Sequence, residues 1–167
     1  MVDMLLDEQV FEVLKGVDDP ELTDVSVYDL GMVHAVSVNE ADVHVTMVPT
    51  FAGCPALHII EKHVQEAVEE LDWVESCSVE FAFDVLWTTE MINERGRQQL
   101  KKLGIAPPPK DFVEGEEWTV ECPYCKSDYT SIENIFGPTA CRSIVYCKSC
   151  RNPFEAMKPV LEQEIAR

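Results

Sequence analysis

Two short motifs, Cys122-Pro-Tyr-Cys125 and Cys147-Lys-Ser-Cys150, constrain this chain more than any other feature. Twenty-one residues separate Cys125 from Cys147. Two Cys-x-x-Cys turns at that spacing predict four thiolates converging on one metal ion within a ribbon of short strands. A segment of about 45 residues buries too little apolar surface to fold alone, so the metal must supply the missing free energy. Zinc is the default ion for four sulfurs. The competing reading is a pair of redox-active dithiols, but neither motif opens a helix in a strand–helix–strand setting. Cys141, six positions before Cys147, leaves three readings open. It is a buried apolar thiol, or it replaces one of the four ligands, or it makes the centre a cluster site.

The chain before this module has a different pattern. Leu5, Leu6, Val10, Val13, Leu14 and Val17 recur at helical spacing and predict a helix over residues 4–16. Asp18-Asp-Pro-Glu21 ends it, and residues 22–31 read as an extended loop with a turn at Asp29-Leu-Gly31. Val33 to Val38 and Val43 to Met47 alternate about a turn at Asn39–Asp42, which predicts an antiparallel pair. A helix over 55–71, a strand within 74–86 and a helix over 90–103, with Thr89 as its N-cap and Gly104 after its end, complete the series. The order α-β-β-α-β-α predicts an α+β fold, a two-layer sandwich with helices on one face of a small sheet. The boundaries expected are 1–108 for this domain, 109–117 for a proline-rich and acidic linker, 118–159 for the Cys-rich module and 160–167 for a tail.

Between the second strand and the second helix lies Pro49-Thr-Phe-Ala-Gly-Cys-Pro-Ala56. Gly53 is read as a residue free to take positive φ, and Pro55 as the first helical residue. Cys54 then falls at the N-cap, where free backbone N–H groups and the helix dipole favour a thiolate. Thr46 and Thr50 lie close by in sequence and can support a thiolate or a metal; they are equally ordinary strand residues. Cys77 is read as structural. The four histidines, His34, His44, His58 and His63, show no ligand spacing. No Ser–His–Asp arrangement, phosphate loop or His-Glu-x-x-His occurs, so no catalytic residue is assigned.

Charge excludes another class. The formal net charge is −18, with 31 acidic against 13 basic residues. A nucleic-acid partner would require a basic surface. Residues 1–112 hold 22 of the acids and 7 of the bases. So acidic a surface on a normally apolar chain suits a high-salt cytoplasm, where self-repulsion is screened. The acidic start of the chain lacks the basic segment of a signal peptide, and no apolar run reaches membrane-spanning length. The expected location is the cytoplasm, without a membrane or nucleic-acid partner.

Several segments together resemble one family. They are Asp19-Pro-Glu21, Asp29-Leu-Gly-Met-Val33, Pro49–Ala56, Trp87-Thr-Thr89, Gly96-Arg97 and Gly104-Ile-Ala-Pro-Pro108. The later part adds Cys122–Cys125, Phe136-Gly-Pro-Thr-Ala-Cys141, Cys147–Cys150 and Pro153-Phe154. From about Val10 to Pro159 the chain resembles the PaaD family, associated with phenylacetyl-CoA epoxidase. Its first part is similar to the wider family containing SufT, which serves iron–sulfur cluster assembly. One departure is Pro138, which stiffens the loop after Gly137 where a small polar residue is expected. The resemblance implies a non-catalytic accessory role in maturing the metal sites of the epoxidase, in its di-iron oxygenase or its iron–sulfur reductase component. Cys54 would hold iron or an iron–sulfur cluster transiently, with Asp19, Glu21 and Thr50 nearby. Cys122, Cys125, Cys147 and Cys150 would hold zinc, with Cys141 as a further candidate ligand. A stoichiometric, non-catalytic subunit of the oxygenase complex is the alternative.

Overall fold

The structure, a computed structural model, describes residues 5–113 and 115–161. The chain divides into two compact units, residues 1–87 and 88–167.

In the first unit, helix α1 (Leu6–Leu14) packs on helix α2 (Leu57–Glu69) and on strand β3 (Val33–Asn39). Glu8 starts α1 by accepting the Leu5 N–H at 3.2 Å, which satisfies one of the free donors of the first turn. Val10 and Leu14 on α1, and Ile60, Val64 and Val68 on α2, are the buried positions. Their spacing of four puts each set on one helix face. In strand β4 (Asp42–Met47), Val43, Val45 and Met47 are buried as well. The sheet order is β3-β4-β5, with β5 at Ser76–Phe81. β3 and β4 form the expected antiparallel hairpin, and β4 and β5 run parallel with Val43 opposite Cys77. A parallel pair needs a crossover, and α2 is that crossover.

Residues expected as a loop after α1 form a second hairpin, β1 (Asp18–Asp19) with β2 (Leu22–Ser26). Period-two reading misses it because the strands are short and Asp24 interrupts them with φ of 63°. The next turn is fixed from both sides. Ser26 N–H donates to Asp29 Oδ2 at 3.2 Å, and Asp29 N–H donates to Ser26 Oγ at 3.0 Å. Trp87 Nε1 donates to the Leu30 carbonyl at 2.7 Å.

The second unit begins with a 3₁₀ turn at Thr89–Met91 and helix α3 (Glu94–Lys102). Asn93 caps α3, not Thr89: its Oδ1 accepts from Gly96 N–H at 2.7 Å. Gly104 follows the helix with φ of +75°, as its sequence position predicts. The helix packs on strand β6 (Ile105–Ala106), which belongs to the sheet of the Cys-rich segment. That sheet has the order β6-β9-β8-β7, with β7 at Thr130–Asn134, β8 at Arg142–Cys147 and β9 at Pro153–Met157. The last helix of the α-β-β-α-β-α series therefore groups with the ribbon. The reason is a long-range pairing: Ile105 and Ala106, directly after α3, add a parallel strand to β9. The residue just ahead of the expected linker is held too, because Arg97 Nη1 donates to the Pro108 carbonyl at 2.5 Å. Most of the tail expected over 160–167 lies outside the described residues.

Candidate metal centre and the Cys54 loop

Each Cys-x-x-Cys motif folds as a tight knuckle, and the two repeat the same hydrogen bonds. Cys122 N–H donates to Ser127 C=O at 2.8 Å, and its carbonyl accepts Lys126 N–H at 2.9 Å. Cys147 N–H donates to Asn152 C=O at 3.0 Å, and its carbonyl accepts Arg151 N–H at 2.9 Å. Lys126 and Arg151 occupy the same place and both are left-handed, with φ of 65° and 62°. Glycine is the ordinary residue there; a basic side chain in its place brings positive charge beside thiolates. Ser127 Oγ and Ser149 Oγ link the knuckles at 2.8 Å.

The four sulfurs converge. All lie within 4.8 Å of one another. Cys122 Sγ and Cys150 Sγ are 3.7 Å apart, and Cys125 Sγ and Cys147 Sγ are 3.6 Å apart. A tetrahedron with metal–sulfur bonds of about 2.3 Å has edges of about 3.8 Å. The donor set therefore fits one tetrahedral ion. Its polypeptide surroundings are thin: Ala106, Val120, Val145, Phe154 and Ala156 are the apolar residues buried with Cys122 and Cys147. Asn152 lowers the Cys150 thiol to about 6 through a side-chain hydrogen bond, outweighing the cost of its desolvation. At Cys125 a hydrogen bond from the Ser127 backbone favours the thiolate, but desolvation and the neighbouring thiols prevail and hold it at about 11. One thiolate is thus ready near neutral pH, and an incoming metal must displace a proton from Cys125. Cys141 stands outside the group; its Sγ lies 3.3 Å from Thr139 Oγ1.

In the first unit, Cys54 sits in the loop that leaves β4, ahead of α2. It is not the N-cap. The cap is Ala56, and α2 starts at Leu57, whose N–H reaches back to the Cys54 carbonyl at 3.4 Å. Cys54, Pro55 and Ala56 complete a turn before the helix, so the dipole reading placed the thiol too close to the helix start. Gly53 is not among the residues with positive φ. A Cβ there would meet Phe51 Cε1 at 2.9 Å, and the exposed Phe51 ring would have to swing aside. Cys54 is half-buried, whereas Cys77 is 5% exposed. Burial, and next the Glu69 charge, push the Cys77 thiol up to about 11, which leaves it inert and structural.

Thr50 shares the Cys54 loop. Asp19 and Glu21 lie elsewhere, on the β1–β2 hairpin, where Asp19 Oδ1 accepts Glu21 N–H at 2.8 Å. Asp19 lines a groove with His63 and Glu66 of α2 and with Glu70 at its C-cap. Leu57 to His63 spans about 9 Å of helix, so this groove lies along α2 and not at its start. Among the described residues, the four ribbon thiols are the sole group of three or more His, Cys, Asp or Glu donors that converge. Sequence reasoning passed over Lys126, Ser127, Ser149 and Arg151. For Lys126, Ser127 and Arg151 the signal was present, because a basic and then a polar residue follow each motif; Ser149 lies inside its own motif.

Comparisons with known proteins match the two parts of the chain separately. The family profile described as PaaD zinc beta ribbon domain matches residues 106–158, and the profile described as iron–sulfur cluster assembly protein matches residues 7–81. A protein of Escherichia coli strain K12, provisionally named as a subunit of 1,2-phenylacetyl-CoA epoxidase, is 31% identical over 90% of this chain and 91% of its own length. The chain belongs to the PaaD family. A second relative, the Fe-S protein maturation auxiliary factor of Porphyromonas gingivalis strain W83, is 34% identical over 56% of this chain and 90% of its own. The crystal structure of a domain of unknown function, DUF59, from Bacillus anthracis superimposes with a TM-score of 0.53 at 25% identity, covering 57% of this chain and 91% of that one. The PaaD chain is thus an α+β protein that joins an assembly-type domain to a four-cysteine ribbon. No described helix is long and apolar enough to cross a membrane.

Proposed function

We propose that this chain is an accessory maturation factor for a phenylacetyl-CoA epoxidase, assisting assembly of its iron or iron–sulfur sites through Cys54. One observation carries the reading. Of the two cysteines in the first unit, Cys54 alone reaches solvent, and it does so beyond the end of β4 in the loop that enters α2. In open sheets with parallel strands this is where ligands are held. The match of residues 7–81 to assembly proteins, and the maturation role in the name of the Porphyromonas relative, support the same use. Thr50 shares the loop and can donate a hydroxyl hydrogen bond. Asp19 and Glu21, on their separate hairpin, serve as a second, acidic element that a client or incoming iron meets. The four ribbon thiols hold zinc as a structural ion, a reading supported by sulfur spacings that suit a single ion. The cargo's targets are the di-iron oxygenase and the iron–sulfur reductase components of the epoxidase, in a cytoplasmic setting.

The experiment is co-production of the epoxidase components with Cys54→Ser. Loss of epoxidase activity and of iron in the components, with the variant's own fold and zinc retained, supports the assignment. A second reading rests on the word subunit in the Escherichia coli relative's name: a stoichiometric, non-catalytic member of the oxygenase complex. Size-exclusion of the active epoxidase separates the two, because a maturation factor is absent from the active complex and a stoichiometric member is present at fixed ratio.

A further inference from the structure

The second unit contains a cavity that neither the four thiols nor Cys54 uses. Its volume is about 420 Å³, within the range of small-ligand sites. Ala106 and Val120, both buried, give it an apolar lining that Pro107, Pro108 and Pro109 extend. Its cations are Arg97, Lys101 and Lys110, and its acids are Glu94, Glu121 and Asp128. Lys110 pairs with Glu94 at 2.9 Å and Lys101 with Glu121 at 3.9 Å. All four side chains are well exposed, and such pairs exchange readily with other partners.

Arg97 is different, being only 6% exposed. Its Nη1 donates to the Pro108 carbonyl and its Nη2 to the Thr89 carbonyl at 2.8 Å. Neither acceptor is charged, and Nε has no hydrogen-bond partner. A guanidinium can only donate, so what Arg97 lacks is an acceptor for Nε and a bonded counter-ion. Burial lowers the pKa of Arg97, against the opposing effect of Glu94 and Glu90. A group that answers both needs is an oxyanion, and the apolar lining beside it calls for an apolar body on the same molecule.

We infer that this cavity binds a small organic carboxylate with an apolar body. The carboxylate faces the Arg97 charge, with Lys101 and Lys110 at the rim. The apolar body lies on Ala106, Val120 and the proline wall. Gly96-Arg97 and Gly104–Pro108, two of the segments that carry the family resemblance, meet here through the Arg97–Pro108 contact. The site belongs to the second unit and does not depend on the role of Cys54.

The test is an NMR titration of the zinc-loaded, full-length chain with benzoate, with its neutral isostere benzamide, and with inorganic phosphate. Benzoate is expected to give saturable shifts at the amides of Arg97, Lys101, Ala106 and Val120, with benzamide and phosphate at least about tenfold weaker. Arg97 also clamps two carbonyls, so Arg97→Gln can disturb the fold. The double variant Lys101→Gln/Lys110→Gln changes exposed residues instead, and is expected to weaken benzoate about tenfold while leaving benzamide unchanged. No saturable shift at these amides, equal binding of benzamide or phosphate, or an unaffected double variant would overturn the assignment.

Discussion

Seven cysteines fall into three physical situations in this chain. Cys122, Cys125, Cys147 and Cys150 face one another, Cys77 and Cys141 serve packing and local hydrogen bonding, and Cys54 stands in a loop. The first situation gives a pH dependence with a definite sign. Protons compete with metal for the thiols, and Cys125 keeps its proton up to about 11. Apparent metal affinity should therefore rise at least about tenfold per pH unit above the Cys150 value of about 6. Competition with a chromophoric chelator across pH measures it, and a flat profile would show that no proton is displaced. Cys77 gives the opposite sign. Its folded pKa is raised from 9.0 to about 11. Its contribution to stability is complete below 9 and is lost as pH climbs through the folded value, by roughly 1–3 kcal/mol. Denaturant unfolding between these limits should show the loss, and Cys77→Ala should abolish it.

At the level of elements, the knuckles and the β7–β8 connection invite substitution. Lys126→Gly and Arg151→Gly should each stabilise the ribbon by up to about 1 kcal/mol, because glycine accepts left-handed φ without strain. Gly137 is the converse. A Cβ there would meet the Arg142 carbonyl oxygen at 2.7 Å, a backbone atom that cannot swing away. Gly137→Ala should cost about 1–3 kcal/mol in chemical unfolding of the zinc-loaded chain. These elements also mark how far the sequence could be read. The hairpin β3–β4, helix α2 and both knuckles were legible, since hydrophobic period and cysteine spacing are local signals. The β1–β2 hairpin was not, because two- and five-residue strands carry no period. The grouping of α3 with the ribbon was invisible for another reason: it depends on Ile105 and Ala106 pairing with β9, far along the chain at Glu155 and Ala156. At the site, cysteine identity foretold the four-sulfur group. Where Asp19 lies along α2 was not foreseeable, since it follows from how α1, the hairpin and α2 pack.

On the scale of the whole chain, two units respond to different agents. Chelation should unfold the ribbon and leave the first unit folded, because Val45, Met47, Ile60 and Val64 need no metal to stay buried. Circular dichroism during chelator titration should show partial loss of structure; complete loss would mean that the first unit depends on the metal too. With a net charge of −18, the thermal midpoint should rise with potassium chloride as self-repulsion is screened. The central claim is that Cys54 handles iron for a client while the ribbon thiols hold a structural zinc. Its most direct measurement is epoxidase activity and component iron content after co-production with Cys54→Ser. The expected result is an iron-deficient, inactive epoxidase beside a folded variant that keeps its zinc. A fully active, iron-replete epoxidase would contradict it.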